Sequence, residues 1–153
     1  MRIRHFCFLI LFFFLAGSRT SAQLFSRKIN QWKENKYDGL WISWSDSLKK
    51  KVESKGHYRG GLEIRTWKYF YEDGTLRRRE RYARNGIVTT YFYPNGKRKS
   101  RGRAIVAYDA EFLHYYYQGD WKYYNEHGKL TQVITYEQGA EISMKTFPDF
   151  RRD

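Results

Sequence analysis

Polar and apolar positions alternate with a period of two through much of this chain. In WKYFYEDG, residues 67 to 74, Trp67, Tyr69 and Tyr71 fall on one side of an extended strand, and Lys68 and Phe70 on the other. The next run, LRRRERY at 76 to 82, places Leu76, Arg78, Glu80 and Tyr82 on one face and Arg77, Arg79 and Arg81 on the opposite one. Asp73-Gly74 between two such runs is a hairpin signal. The same phrase returns as WKYYNEHG at 121 to 128.

Turn glycines measure the repeat. YEDG ends at Gly74, YPNG ends at Gly96 twenty-two residues later, and NEHG ends at Gly128. A second set of turns alternates with these: HYRGG at 57 to 61, YARNG at 82 to 86, YYQG at 116 to 119 and YEQG at 136 to 139. One repeat is therefore a hairpin plus its linking turn. A lone hairpin is marginal in water, so each unit must lean on the next, with Trp41, Trp67 and Trp121 recurring near the start of successive units. The predicted fold is mostly β, an antiparallel meander of hairpin repeats in one elongated sheet. Its Trp and Tyr residues are expected to form the core.

The rhythm fails in two places. RAIVAYDAEFLH, about 103 to 114, adds about ten residues beyond the twenty-two-residue step, as a lengthened strand or an extra loop. Residues 23 to 37 stand outside the pattern. Phe25, Ile29 and Trp32 there have helical spacing, which predicts a short capping helix. The repeats are assigned to 38–147 and a tail to 148–153.

The quoted phrases resemble the MORN repeat, and especially its bacterial variant in the YwqK-type proteins catalogued as antitoxins. GDWKYYNEHGKL with YEQG and TWKYFYEDGTL with YARNG match best. DGLWISWSDSLKK at 38 to 50 is looser, and TTYFYPNGK at 89 to 97 has Thr89 in place of tryptophan. The repeat-defining positions are Trp41, Trp67, Tyr71, Gly74, Tyr82, Gly86, Tyr93, Gly96, Gly119, Trp121, Gly128, Tyr136 and Gly139. The resemblance implies a single-layer hairpin array used for protein or lipid contacts, with no catalytic residues.

The chain begins with Arg2 and Arg4, an apolar run from Phe6 to Gly17, and small residues up to Ala22. That is the layout of a secretory signal peptide over 1–22. Twelve apolar residues fall short of the roughly 20 that span a bilayer, although an uncleaved anchor is the competing reading. Cleavage removes Cys7, the only cysteine, so the mature chain has neither disulfides nor thiolate metal sites. It also removes Arg2, Arg4 and Arg19 and lowers the formal charge from +13 to +10. The expected location is exported: periplasmic, cell-surface or secreted.

The period also arranges that charge. A shift of twenty-two superimposes Arg77 on Lys99, Arg79 on Arg101 and Arg81 on Arg103, and aligning Leu48 with Leu76 adds Lys49 and Lys51. These cations are expected to form ladders on the face opposite Leu76 and Tyr82, broken in the last unit by Thr131, Val133 and Thr135. Two readings follow. The ladder is a solvated face that discourages aggregation, or it meets an anionic partner.

Reactive chemistry has little support. His57 and His127 fall in predicted turns and His114 in the insert, without metal-ligand spacing. No nucleophile elbow or phosphate loop is present, and carboxylates such as Asp73 and Glu126 serve turns. A glycosidase-like pair assembled by folding stays open. The leading reading is thus a non-enzymatic, cofactor-free binding module for a protein or an anionic envelope glycan or lipid. Alternatives are an antitoxin-like neutraliser, a binder of polyanions or of nucleic acid, the latter disfavoured by export, and, weakest, a polysaccharide-cleaving enzyme. Membrane contact is expected to be peripheral at most, and open sheet edges allow self-association.

Overall fold

The computed structural model describes residues 28–108 and 113–148. The expected signal peptide, Phe25 of the expected cap and most of the tail lie outside them. The described residues form one open antiparallel sheet of ten strands in sequence order, without helices. The strands are β1 (Gln31–Lys33), β2 (Lys36–Trp44), β3 (Val52–Arg59), β4 (Leu62–Phe70) and β5 (Leu76–Ala83). They continue with β6 (Gly86–Phe92), β7 (Arg98–Tyr108), β8 (Leu113–Tyr124), β9 (Leu130–Glu137) and β10 (Ala140–Thr146).

The helix expected at the start of the sheet does not form over Ile29 to Lys33. Trp32 pairs with Tyr37 across a tight turn in which Glu34 and Asn35 take positive φ. Asn30 uses its side chain to accept from Ile42 N at 2.7 Å and donate to Ile42 O at 2.8 Å, satisfying backbone that β1 is too short to reach. His57 also departs from expectation. The chain stays extended to Arg59 and reverses at Gly60-Gly61, so His57 is a strand residue paired with Leu40 and Ile64.

Cross-strand pairing sorts the side chains onto two faces. Trp67 is opposite Glu80, Glu80 opposite Thr89, Thr89 opposite Gly102, and Trp121 opposite Ile134. These define the aromatic face, where Trp67 is 3% exposed and Trp121 1%. A single layer buries such rings because each lies flat over the neighbouring strand. The Trp121 ring covers Gly102, where an added Cβ would come within 2.2 Å of it, and Trp67 covers Gly56 in the same way at 2.1 Å. Each indole then donates to the carbonyl one residue on, Trp121 Nε1 to Arg103 O at 2.9 Å and Trp67 Nε1 to His57 O at 3.2 Å.

To swing the ring backward, β4 and β8 carry a bulge that begins two residues before Trp67 and Trp121. Arg65 (φ 61) and Gly119 (φ 69) hold that position, and Gly39 (φ 75) precedes Trp41 in the same way. A second bulge follows each turn, where Glu53, Arg77, Lys99 and Thr131 are the extra residues of β3, β5, β7 and β9. That bulge corrects one expectation. It breaks the alternation between Leu76 and Arg78, so Leu76 pairs with Phe70 on the face of Lys68, not with Glu80 and Tyr82.

The turns stack as well. Tyr71 OH donates to Phe92 O at 2.9 Å and Tyr93 OH to Tyr124 O at 2.8 Å, tying each turn to the next. Of the irregular segment, residues 103–108 and 113–114 are strand. β7 and β8 lengthen together, pairing from Ala104↔Tyr117 to Tyr108↔Leu113.

Candidate binding surface

The face opposite the tryptophans carries a row rich in cations, interrupted at Thr90 and Val133. Across eight successive pairings the row runs Ile42, Lys55, Lys68, Arg79, Thr90, Arg101, Lys122, Val133, Lys145. Its six basic residues, one each on β3, β4, β5, β7, β8 and β10, are all exposed. Beside it Arg81 pairs with Val88 and Val88 with Arg103, a second and shorter basic row. Like charges in register repel. Among the described residues the only ion pair is Arg78 with Glu80, on the other face, at 3.5 Å.

Of the residues singled out from sequence, Arg79, Arg81, Arg101 and Arg103 thus lie together on one face. Arg77 and Lys99 are the bulge residues at the margin, exposed, with Lys99 Nζ 5.7 Å from the Tyr93 ring. Lys49 and Lys51 do not enter the row. They belong to the β2–β3 loop, where Asp46 accepts from the backbone N–H of Lys50 and Lys51, and Lys49 takes positive φ. Lys55 stands in the row in their place. Lys68, Lys122 and Lys145 were missed although Lys68 and Lys122 occur in the repeated phrase itself. The signal for Lys68 and Lys122 was the lysine directly after Trp67 and Trp121, which alternation sends to the opposite face.

An aromatic row runs parallel to the cations. Trp44, Phe70, Phe92 and Tyr124 lie two residues beyond the row on β2, β4, β6 and β8, Phe147 follows just past the end of β10, and all are half-buried. Each ring is capped by a cation: Lys49 over Trp44, Lys55 over Phe70, Arg79 over Phe92, Arg98 over Tyr124 and Lys145 over Phe147, at 5.1–5.7 Å from the centroid. Such contacts are worth about 0.5–1 kcal/mol each where exposed, and they hold long side chains in place. Between β7 and β8 this face opens into a groove of about 400 Å³, lined in part by Arg98, Arg101, Arg103, Lys122, Tyr124 and Asp120. Asp120 there accepts from Thr135 Oγ1 at 2.7 Å.

On the aromatic face the repeat is interrupted at Thr89, where tryptophan is absent. The strand before it has no need of glycine, and the position that is Gly56 on β3 and Gly102 on β7 is Glu80 on β5. Glu80 is 3% exposed. It accepts from Tyr69 OH at 3.1 Å and Tyr82 OH at 3.4 Å, and Tyr82 OH also donates to Glu63. Burial, above all, holds the Glu80 carboxyl above its ordinary value and raises the Tyr69 and Tyr82 phenols. The lengthened β7–β8 hairpin supplies the missing ring, with Tyr115 OH 3.2 Å from Thr89 Oγ1 and Thr89 itself 0% exposed. Two carboxylates are thus brought together by folding, but Glu80 is sealed from solvent and the groove lies on the opposite face. What the pair can do chemically is hold a proton within a hydrogen-bonded core.

Among the described residues no group of three or more His, Cys, Asp or Glu side chains is placed to hold a metal ion. No protein-family model, curated protein or solved structure matches the chain.

Proposed function

We propose that this chain is an exported, non-enzymatic binding module built of MORN-like hairpin repeats, and that its basic face engages an anionic component of the cell envelope. One observation carries the reading. Six exposed cations stand in register across the sheet with no facing row of acids, an arrangement that costs stability through like-charge repulsion and is relieved by an anionic ligand. A packing role for the repeated aromatics supports the reading: Trp67 and Trp121 are buried, and Tyr71 and Tyr93 tie successive turns.

The test is retention of the purified protein on anionic vesicles and on acidic polysaccharide, compared with neutral supports. The same assay is run with Arg79, Arg81, Arg101 and Arg103 all changed to glutamate. The native protein is expected to be held and the quadruple variant released. Equal retention of a folded variant overturns the reading.

A second reading, neutralisation of a partner protein, is favoured by β10. This edge strand pairs only with β9, and all seven of its residues are exposed, Ile142 and Met144 among them. An unpaired edge accepts a strand from another chain. Co-purification of one stable partner that is toxic when expressed alone, and whose capture is lost on placing proline in β10, tests it.

A further inference from the structure

Resting on that basic-face reading, we propose that the ligand is a linear acidic polysaccharide, bearing carboxylate or sulfate groups, that lies across the strands along the row from Lys55 to Lys145. The shape of the charged surface points there. Neighbouring strands are about 4.8 Å apart, so the seven intervals from β3 to β10 make a row about 34 Å long. The accompanying row of Arg81 and Arg103 is offset by two residues, or about 7 Å along the strand. A long, narrow band of this kind has the dimensions of an extended polymer.

Twist separates a polymer from a bilayer. Adjacent strands rotate by about 20° or more, so over seven intervals the row winds through roughly 140°. A flat lipid surface touches only part of such a row, whereas a flexible chain follows it. Capping separates a glycan from a single-stranded nucleic acid. Base stacking needs bare aromatic faces, and the five rings beside the row are each covered by a lysine or arginine. The covering also holds three of the row's cations, Lys55, Arg79 and Lys145, before any ligand arrives, which lowers the ordering cost of binding. Arg79 and Arg101 present planar forks suited to carboxylate and sulfate alike.

The experiment measures affinity of the full chain for size-graded oligogalacturonates and for size-graded heparin fragments, at low and at physiological salt. Phosphatidylserine vesicles and single-stranded oligonucleotides serve as the other arms. Two variants of equal charge change are compared, K68E/R101E on the row and K36E/R84E off it, with K68Q/R101Q as a milder pair and circular dichroism to confirm folding. The expected results are affinity that rises with oligosaccharide length until the row is spanned, and a loss of about tenfold per row residue replaced. The off-row pair is expected to lose much less.

Equal losses in the two pairs, or no dependence on length, overturn the row as the site and leave the basic-face reading standing. Vesicles or oligonucleotides binding more tightly than either glycan overturn the polysaccharide alone. Failure of every anionic arm removes the basic-face reading itself. The carboxylate and sulfate series decide between the two sources of charge.

Discussion

The indole of Trp121 lies directly on the Cα of Gly102, so close that a methyl group there would meet the ring at 2.2 Å. Trp67 and Gly56 repeat the contact, and together the two pairs are the joints of a sheet with no second layer. G102A and G56A are expected to destabilise the protein by about 1–3 kcal/mol each, the cost of forcing a packed ring out of place. Urea unfolding followed by tryptophan fluorescence measures it. A change below a few tenths of a kcal/mol would show that the rings are not held as described.

Arg65 occupies the positive-φ position that is glycine before Trp41 and Trp121. The left-handed conformation costs a non-glycine residue roughly 1–2 kcal/mol, and glycine returns part of that through its freedom when unfolded. R65G is therefore expected to stabilise by about 0.5–1 kcal/mol, and G119A to destabilise by a similar amount. Opposite signs in thermal unfolding are the diagnostic result.

Turn stacking rests on two phenol-to-carbonyl hydrogen bonds, from Tyr71 to Phe92 O and from Tyr93 to Tyr124 O. Y71F and Y93F should each cost about 1 kcal/mol, and because they act at different joints the double variant should cost close to the sum. Denaturant midpoints of the three variants test this. Strong non-additivity would mean that the turns move as one block.

Glu80 predicts a pH dependence. Burial raises its folded-state carboxyl above the ordinary 4.5, so the folded protein keeps this proton to higher pH than the unfolded chain does. The associated stability is fully present below the unfolded value and is lost as pH rises through the folded one. Native stability relative to E80Q should thus decline as pH is raised from below 4.5 toward neutrality. Urea midpoints across that range read it directly, and a constant difference would contradict a buried, proton-retaining carboxyl.

Much of this architecture was legible in the chain because turn residues and tryptophans are local signals. Gly74, Gly96 and Gly128 set the period, and alternation around Trp67 and Trp121 sets the faces. The basic row was half legible for the same reason. A twenty-two-residue shift finds Arg79 with Arg101 and Arg81 with Arg103, but it compares return strands only and so passes over Lys68 and Lys122 on the outgoing ones. Lys49 and Lys51 were misplaced because the β2–β3 loop is longer than the other turns, and the bulge at Glu53 alters the count again. Leu76 changed face through the equivalent bulge at Arg77. A bulge changes the register by one residue and leaves little trace in composition. The Glu80 cluster was the least readable part. Its logic links Thr89 on one strand, Glu80 on another and Tyr115 on a third, and only pairing in space relates a lost tryptophan to a buried acid.

Because the bulges recur at matching places, equivalent positions of successive hairpins face the same side of the sheet. Duplication of one such unit would lengthen the basic band by two strand widths, about 10 Å, while leaving its chemistry unchanged. The reach of this surface is in that sense a copy number, adjustable in whole steps by gaining or losing a stretch of gene.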